Sequence, residues 1–290
     1  MVDEMTPAMN ATAKTLFSLL FVALAILIGT QTLDRQGAAY TDATLKRALL
    51  TYGVARGLNG VISVAQGTEI AVQPAGLGMT FTPGEILDPL NDLVERFSWV
   101  MLMSSASAGL QKTLLAISAW PLFSMFSVAA SLIAAAAVWL PGGKFFMLRA
   151  VAVKLALLIL MARLSVPLMA IGSEWIYQQF LSSQYAEATT QLQNTADNLS
   201  RINQNPTTTP PTTEDLSLWG SAKLLYHSAA ESVDIEARLS AYKEAAADAT
   251  EYLINLIVVF VFQTIVLPLA FLGVIYAAIK VMLKYKLPSG

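Results

Sequence analysis

The apolar positions of this chain fall in long blocks, separated by polar stretches in which apolar residues recur every three or four positions. Ala150 to Gly172 and Leu253 to Ile279 are blocks of about bilayer length. Between them lie about eighty residues rich in Gln, Glu, Asp, Ala and Thr. On the first half Leu181, Tyr185, Ala188, Leu192, Thr195, Leu199 and Ile202 are spaced alternately by four and three. On the second half Leu225, Ser228, Ser232, Ile235, Leu239, Tyr242, Ala246, Ala249 and Leu253 alternate in the same way. This is the spacing of a coiled-coil seam. Asn205 to Glu214 is Pro/Thr-rich and cannot continue a helix, because proline lacks the N–H. The pattern predicts a helical hairpin with an exposed tip, rooted in a membrane at both ends. Ala, Ser and Thr fill several seam positions, so each layer buries little, and a partner helix or a second copy is expected to complete it.

Upstream, Thr15 to Gly29 is apolar and Leu27-Ile28-Gly29-Thr30-Gln31 is a poor cleavage site, which predicts an uncleaved anchor. Gln31 to Arg56 reads as a polar-faced helix with Leu45, Leu49 and Tyr52 on one face. Gly53, Gly57 and Gly60 are expected to break it. Val61 to Val64 and Glu69 to Val72 flank Gln66-Gly67 and suggest a small β-hairpin. Thr82-Pro83-Gly84-Glu85 has the form of a capping box, and Asp88-Pro89 is a second possible helix start. From there to Ser118 Leu90, Leu93, Val94, Phe97, Val100 and Met101 make an apolar face. Ser98, Ser105 and Lys112, with Ser104, Gln111 and Ser118 beside them, make polar rows. This is the two-faced pattern of an interfacial helix. Trp120 to Leu140 is the clearest span; its two bounding tryptophans are about 28 Å apart at helical rise. Pro141-Gly142-Gly143-Lys144 ends it.

The expected fold is therefore an all-α integral membrane protein with about four transmembrane helices, a long extracytoplasmic helical hairpin and a minor β-hairpin in the first outer loop. Its parts are an N-terminal membrane anchor (1–30), an extracytoplasmic region ending in an interfacial amphipathic helix (31–118) and a transmembrane helical pair (119–172). The coiled-coil-like hairpin (173–252) and a last transmembrane helix with a short basic tail (253–290) follow.

Composition sharpens this reading. Hydrophobic residues make up 55% of the 290 and charged ones only 13%, against about 25% in soluble domains. The net charge of −2 gives no basic surface for nucleic acid. Cys is absent and His227 is the single histidine, so no thiolate chemistry, disulfide or histidine-cluster metal site is expected. Phosphate loops, nucleophile elbows and dinucleotide fingerprints are absent from the sequence, and no cofactor and no enzymatic activity are expected. With four spans and the N-terminus inside, the inner segments hold Lys14, Lys144, Arg149, Lys280, Lys284 and Lys286. The residues from Ser173 to Tyr252 hold eleven acidic and four basic residues. That distribution places both termini in the cytoplasm of a multi-pass bacterial inner-membrane protein.

Arg163 stands out, because a cation inside a span is costly and needs a partner. No Asp or Glu lies within an assigned span, so Gln263 and the Ser104 to Ser107 stretch are its expected neighbours. Pro167 and Pro268 are expected helix hinges; Pro268 frees the carbonyl of Thr264. Lys154 reads as a snorkelling lysine. Leu181, Tyr185, Leu192, Leu199, Ile235, Leu239 and Tyr242 form the expected partner-binding arm. The chain is expected to be a non-enzymatic envelope scaffold or assembly protein that meets membrane lipid and either a second copy of itself or another envelope protein. The alternative is a small oligomeric channel or transporter subunit with Arg163 and Gln263 near the pathway. A sensor reading needs an inner output that the short inner segments do not supply.

Overall fold

The computed structural model describes residues 10–67, 70–72, 79–81, 83–141, 145–204 and 218–284. The side chains at 70–72, 79–81, 83, 204 and 218–235 lie outside that description. So do the Pro/Thr tip (205–214), residues 142–144, Thr82 of the capping box, Lys286 and the side chains of Leu225, His227, Ser228, Ser232 and Ile235.

The described residues are almost all helical apart from one short β pair. The helices are α1 (Ala11–Gly29), α2 (Thr32–Gln66), α3 (Asp88–Ser118), α4 (Pro121–Ala137) and α5 (Phe146–Ile176). After them come α6 (Ser182–Gln204), α7 (Leu218–Val261) and α8 (Leu267–Lys284). Two five-residue π-helical turns, Tyr177–Leu181 and Phe262–Val266, join α5 to α6 and α7 to α8. Among the described residues five helical stretches are long and apolar enough to cross a membrane: Ala11–Gly29, Thr32–Gln66, Gly84–Ser118, Phe146–Asn203 and Glu236–Lys284. The helix expected over Trp120 to Leu140 is α4, an apolar helix of only 17 residues.

Three local expectations are corrected. Residues 61–66 are not a strand but the last turns of α2, and the β pair lies further on. There β1 (Ile70–Val72) meets β2 (Met79–Phe81) antiparallel, with Ala71 opposite Thr80. Nor do Gly53, Gly57 and Gly60 break α2. Each costs about 1 kcal/mol of helix propensity, but Ala48, Ala55, Leu58, Ile62 and Ala65 are fully buried at helical spacing, and that packing outweighs the cost. The buried face of α2 is also not that of Leu45, Leu49 and Tyr52, since Leu49 is half exposed. Small residues take the inner face because they let neighbouring backbones approach.

The helices group into two compact units. The first comprises Met1–Lys46, Ser104–Phe180 and Phe262–Gly290, and the second Arg47–Met103 and Leu181–Val261. In the first unit α1, α4 and α5 share a core of Phe21, Ile28, Ala134, Val138, Val153 and Leu160. Here α4 buries its serines, Ser124, Ser127 and Ser131, and exposes Met125, Phe126, Leu132 and Ile133. The second half of α3 is likewise inverted, with Ser104, Ser105, Gln111 and Ser118 inside and Leu110, Leu114 and Ile117 outside. Large side chains outside and hydroxyls inside are the arrangement expected of helices in a bilayer or at its interface.

In the second unit α2, α3, α6 and α7 close around Leu58, Ile62, Leu90, Val94, Phe97, Leu192, Leu199, Leu253 and Leu256. The apolar face anticipated on α3 is the one it buries. Its N-terminus is Asp88, the second of the two expected starts, preceded by a 3-10 turn (Pro83–Leu87). A Cβ on Gly84 would lie 2.2 Å from the Ala65 carbonyl oxygen and 2.5 Å from Gln66 Cα. The close approach of this turn to the end of α2 therefore requires glycine. Gln66 Nε2 donates to Asp88 Oδ1 at 2.7 Å and ties the same two segments.

Candidate functional site

The inner face of α5 reads Arg149, Val153, Ala156, Leu160, Arg163, Pro167 and Ala170, spaced alternately by four and three. Arg163 lies on that stripe and is 1% exposed. Its partner is Asp34, in the first turn of α2, where the helix dipole favours a carboxylate. Gln31, in a left-handed conformation at φ 54°, turns the chain from α1 into α2 and brings Asp34 there. Arg163 Nη1 donates to Asp34 Oδ1 at 2.8 Å and Nη2 to Oδ2 at 2.5 Å, a two-pronged pair. The rest of the guanidinium is also used. Nε and Nη2 donate to Ser124 Oγ at 3.3 and 3.1 Å, and Nη1 donates to Ser118 Oγ at 3.3 Å.

Both prolines matter through the carbonyls they release. Pro167 has no N–H for the carbonyl of Arg163, and the Ser118 hydroxyl donates to that oxygen at 2.7 Å. Pro268 has none for Thr264, and the Ser107 hydroxyl donates there at 2.8 Å. The Thr264 carbonyl thus lacks the Pro268 N–H, as read from the sequence, and a serine of the Ser104 to Ser107 stretch donates to it. Ser118 therefore touches Arg163 twice, at its carbonyl and at its guanidinium. Close packing holds the same place: a Cβ on Gly37 would lie 3.4 Å from Pro167 Cα and from Leu115 Cδ2.

Gln263 belongs to a second cluster. Its Nε2 donates to Thr44 Oγ1 at 3.2 Å, and Thr264 Oγ1 donates to Ser104 Oγ at 3.2 Å. The Ser173 hydroxyl lies 3.5 Å from the Gln263 carbonyl. Gln263 Oε1 is buried with no partner among the described residues. The structure does not bring Arg163 to Gln263. The residue of α5 that meets Gln263 is Ser173, ten positions and about 15 Å further along the helix. Asp34 lies beyond the first apolar block, outside every segment expected to span, and its place in the first turn of a helix is the sequence signal that points to it.

The expected partner-binding arm is placed differently. Leu181, Leu192, Leu199 and Tyr242 are buried, and Leu239 is half-buried. Tyr185 packs edge-on against Phe260 at 5.9 Å. Leu192, Leu199, Tyr242 and the partly buried Tyr185 share a cluster with residues of α2 and α3 of the same chain, so these four are core rather than free surface. Polar contacts close its end. Tyr242 O–H donates to Asn203 Oδ1 at 2.8 Å, and Arg238 donates to the Ile202 carbonyl at 2.6 Å, in the last turn of α6. Burial pushes the Tyr242 hydroxyl above its ordinary pKa, and nearby Arg238 partly opposes this.

Among the described residues no group of three or more His, Cys, Asp or Glu is arranged to hold a metal. No protein-family model matches the chain, and neither curated proteins nor solved structures show significant similarity to it.

Proposed function

We propose that this chain is a non-enzymatic scaffold or assembly protein of a bacterial inner membrane. In this reading α1, α4, α5 and the α7–α8 stretch from Leu253 cross the bilayer, four spans in all. Both termini are cytoplasmic, and the polar helices of 173–252 lie on the extracytoplasmic side. Partner proteins meet the outer, polar faces of these helices, because the inner seam is occupied by the chain itself. The observation that carries the reading is the saturation of Arg163. Two carboxylate oxygens and two serine hydroxyls take its donors. A cation so fully engaged fastens helices together, whereas a transport pathway requires a group that exchanges partners with its cargo. The topology follows the distribution of basic residues.

The test is gentle detergent extraction after crosslinking, followed by mass and composition of the complex. A stoichiometric second protein joined to residues 173–252 supports the scaffold. A homo-oligomer with no other protein, together with ion flux that changes on substitution of Arg163 or Gln263, overturns it in favour of a channel.

A further inference from the structure

α8 buries none of its residues. Its second half faces α5 across a cleft of about 580 Å3, bounded by Val153, Lys154 and Leu157 on one side and Ala277, Ala278 and Val281 on the other. That volume falls in the range of about 300–1,000 Å3 typical of small-molecule sites. Its lining is apolar except for Lys154. Neither residues 146–162 nor α8 contain an Asp or Glu, while they carry Arg149, Lys154, Lys280 and Lys284. Among the described residues Lys154, Lys280 and Lys284 have no anionic partner. Arg149 sits one turn before Val153, its guanidinium 5.8 Å from the Phe146 ring centroid.

The two helices run in opposite directions, since Ser173 meets Gln263 and Val153 faces the 277–281 segment. The start of α5 and the end of α8 are therefore at the same level. Helical side chains tilt toward the helix N-terminus, which directs Lys154 toward that level, where Lys280 and Lys284 also lie. An apolar slot opening on unpaired lysines matches one class of ligand, a molecule with an alkyl chain and an anionic head.

We infer that the α5–α8 cleft binds an anionic phospholipid of the cytoplasmic leaflet, with an acyl chain between Leu157 and Ala277–Ala278 and the phosphate at Lys154. Lys280 and Lys284 add to the local positive potential. A zwitterionic lipid offers the same chain and phosphate but cancels its own charge, so the site discriminates by net charge. This inference rests on the proposal that α5 and α8 cross the bilayer.

The test uses the full chain, delipidated and exchanged into micelles holding equal amounts of phosphatidylglycerol and phosphatidylcholine, with retained lipid read by native mass spectrometry. Wild type is expected to retain phosphatidylglycerol at least several-fold over phosphatidylcholine. Lys154→Gln brings the ratio near one, Lys154→Arg keeps it, and Ala278→Trp, which fills the cleft, removes retention of both. Parity in the wild type, or an unchanged preference in both Lys154→Gln and Ala278→Trp, overturns the inference. If Ala278→Trp instead dissociates an oligomer without changing lipid retention, a second copy occupies the cleft and the inference fails. Alkaline carbonate extraction of membranes separates the two readings. A chain that stays integral but shows parity loses only the lipid site, whereas a chain that extracts loses both.

Discussion

Removing either member of the Arg163–Asp34 pair leaves a buried charge without its partner. The guanidinium is 1% exposed and the Asp34 side chain 10%, so water cannot replace what is lost. Breaking a pair of this kind by one substitution costs about 3–5 kcal/mol. Replacing both members with apolar residues of similar volume removes the desolvation cost along with the attraction and is often near neutral. Arg163→Met and Asp34→Leu are therefore each expected to cost about 3–5 kcal/mol, and the double variant much less than their sum. The coupling should exceed about 2 kcal/mol, since the pair makes two charge-assisted hydrogen bonds. Arg163→Met also removes the guanidinium bonds to Ser124 and Ser118, so it is expected to be the costlier single change. The assay is thermal unfolding of the purified protein in one detergent, where this loss appears as a Tm fall on the order of 10 °C. Strictly additive costs, or single costs below about 1 kcal/mol, would refute the argument that this pair fastens α2 to α5.

Three further outcomes follow from named contacts. Ser107→Ala removes the hydroxyl that donates to the Thr264 carbonyl and is expected to cost about 1 kcal/mol; in a Pro268→Ala background the helix regains an N–H, so the cost of Ser107→Ala should shrink, as measured by the same unfolding assay. Tyr242 keeps its proton in the fold beyond its ordinary pKa of 10.0, so the unfolded chain holds fewer protons above that pH. The contribution of this residue is intact below pH 10 and is lost as pH rises above it; Tyr242→Phe should flatten the fall in Tm between pH 9.5 and 11. Gly84→Ala places a Cβ 2.2 Å from the Ala65 carbonyl oxygen, and the backbone shift it forces should cost at least about 1–3 kcal/mol; a variant as stable as wild type would contradict the close approach of the 3-10 turn to α2.

Much of this protein is set by local pattern. The apolar blocks, the alternating four-and-three spacing of α6 and α7, and the start of α3 at Asp88-Pro89 are legible in the sequence, because helices and spans depend on near neighbours along the chain. The freed Thr264 carbonyl is legible for the same reason, since proline acts on the residue four positions before it. Partners are another matter. Asp34 and Arg163 lie 129 positions apart, and no spacing rule joins them. The turn at Gln31 and the packing of Gly37 on Pro167 lie where the two meet within hydrogen-bonding distance. The seam of α6 and α7 likewise says that something covers it, but not what. The covering helices are α2 and α3, whose glycines and small residues mimic a broken, loop-like segment. Gly53, Gly57 and Gly60 weaken α2 as an isolated helix, and Leu58 and Ile62 hold it only once the second unit has closed around them. Periodicity marked most of the helices, and it marked the inner faces of α6, of the described part of α7 and of the first half of α3, where large residues line them. Tertiary packing decided which small-residue faces were inner and which distant polar groups became partners.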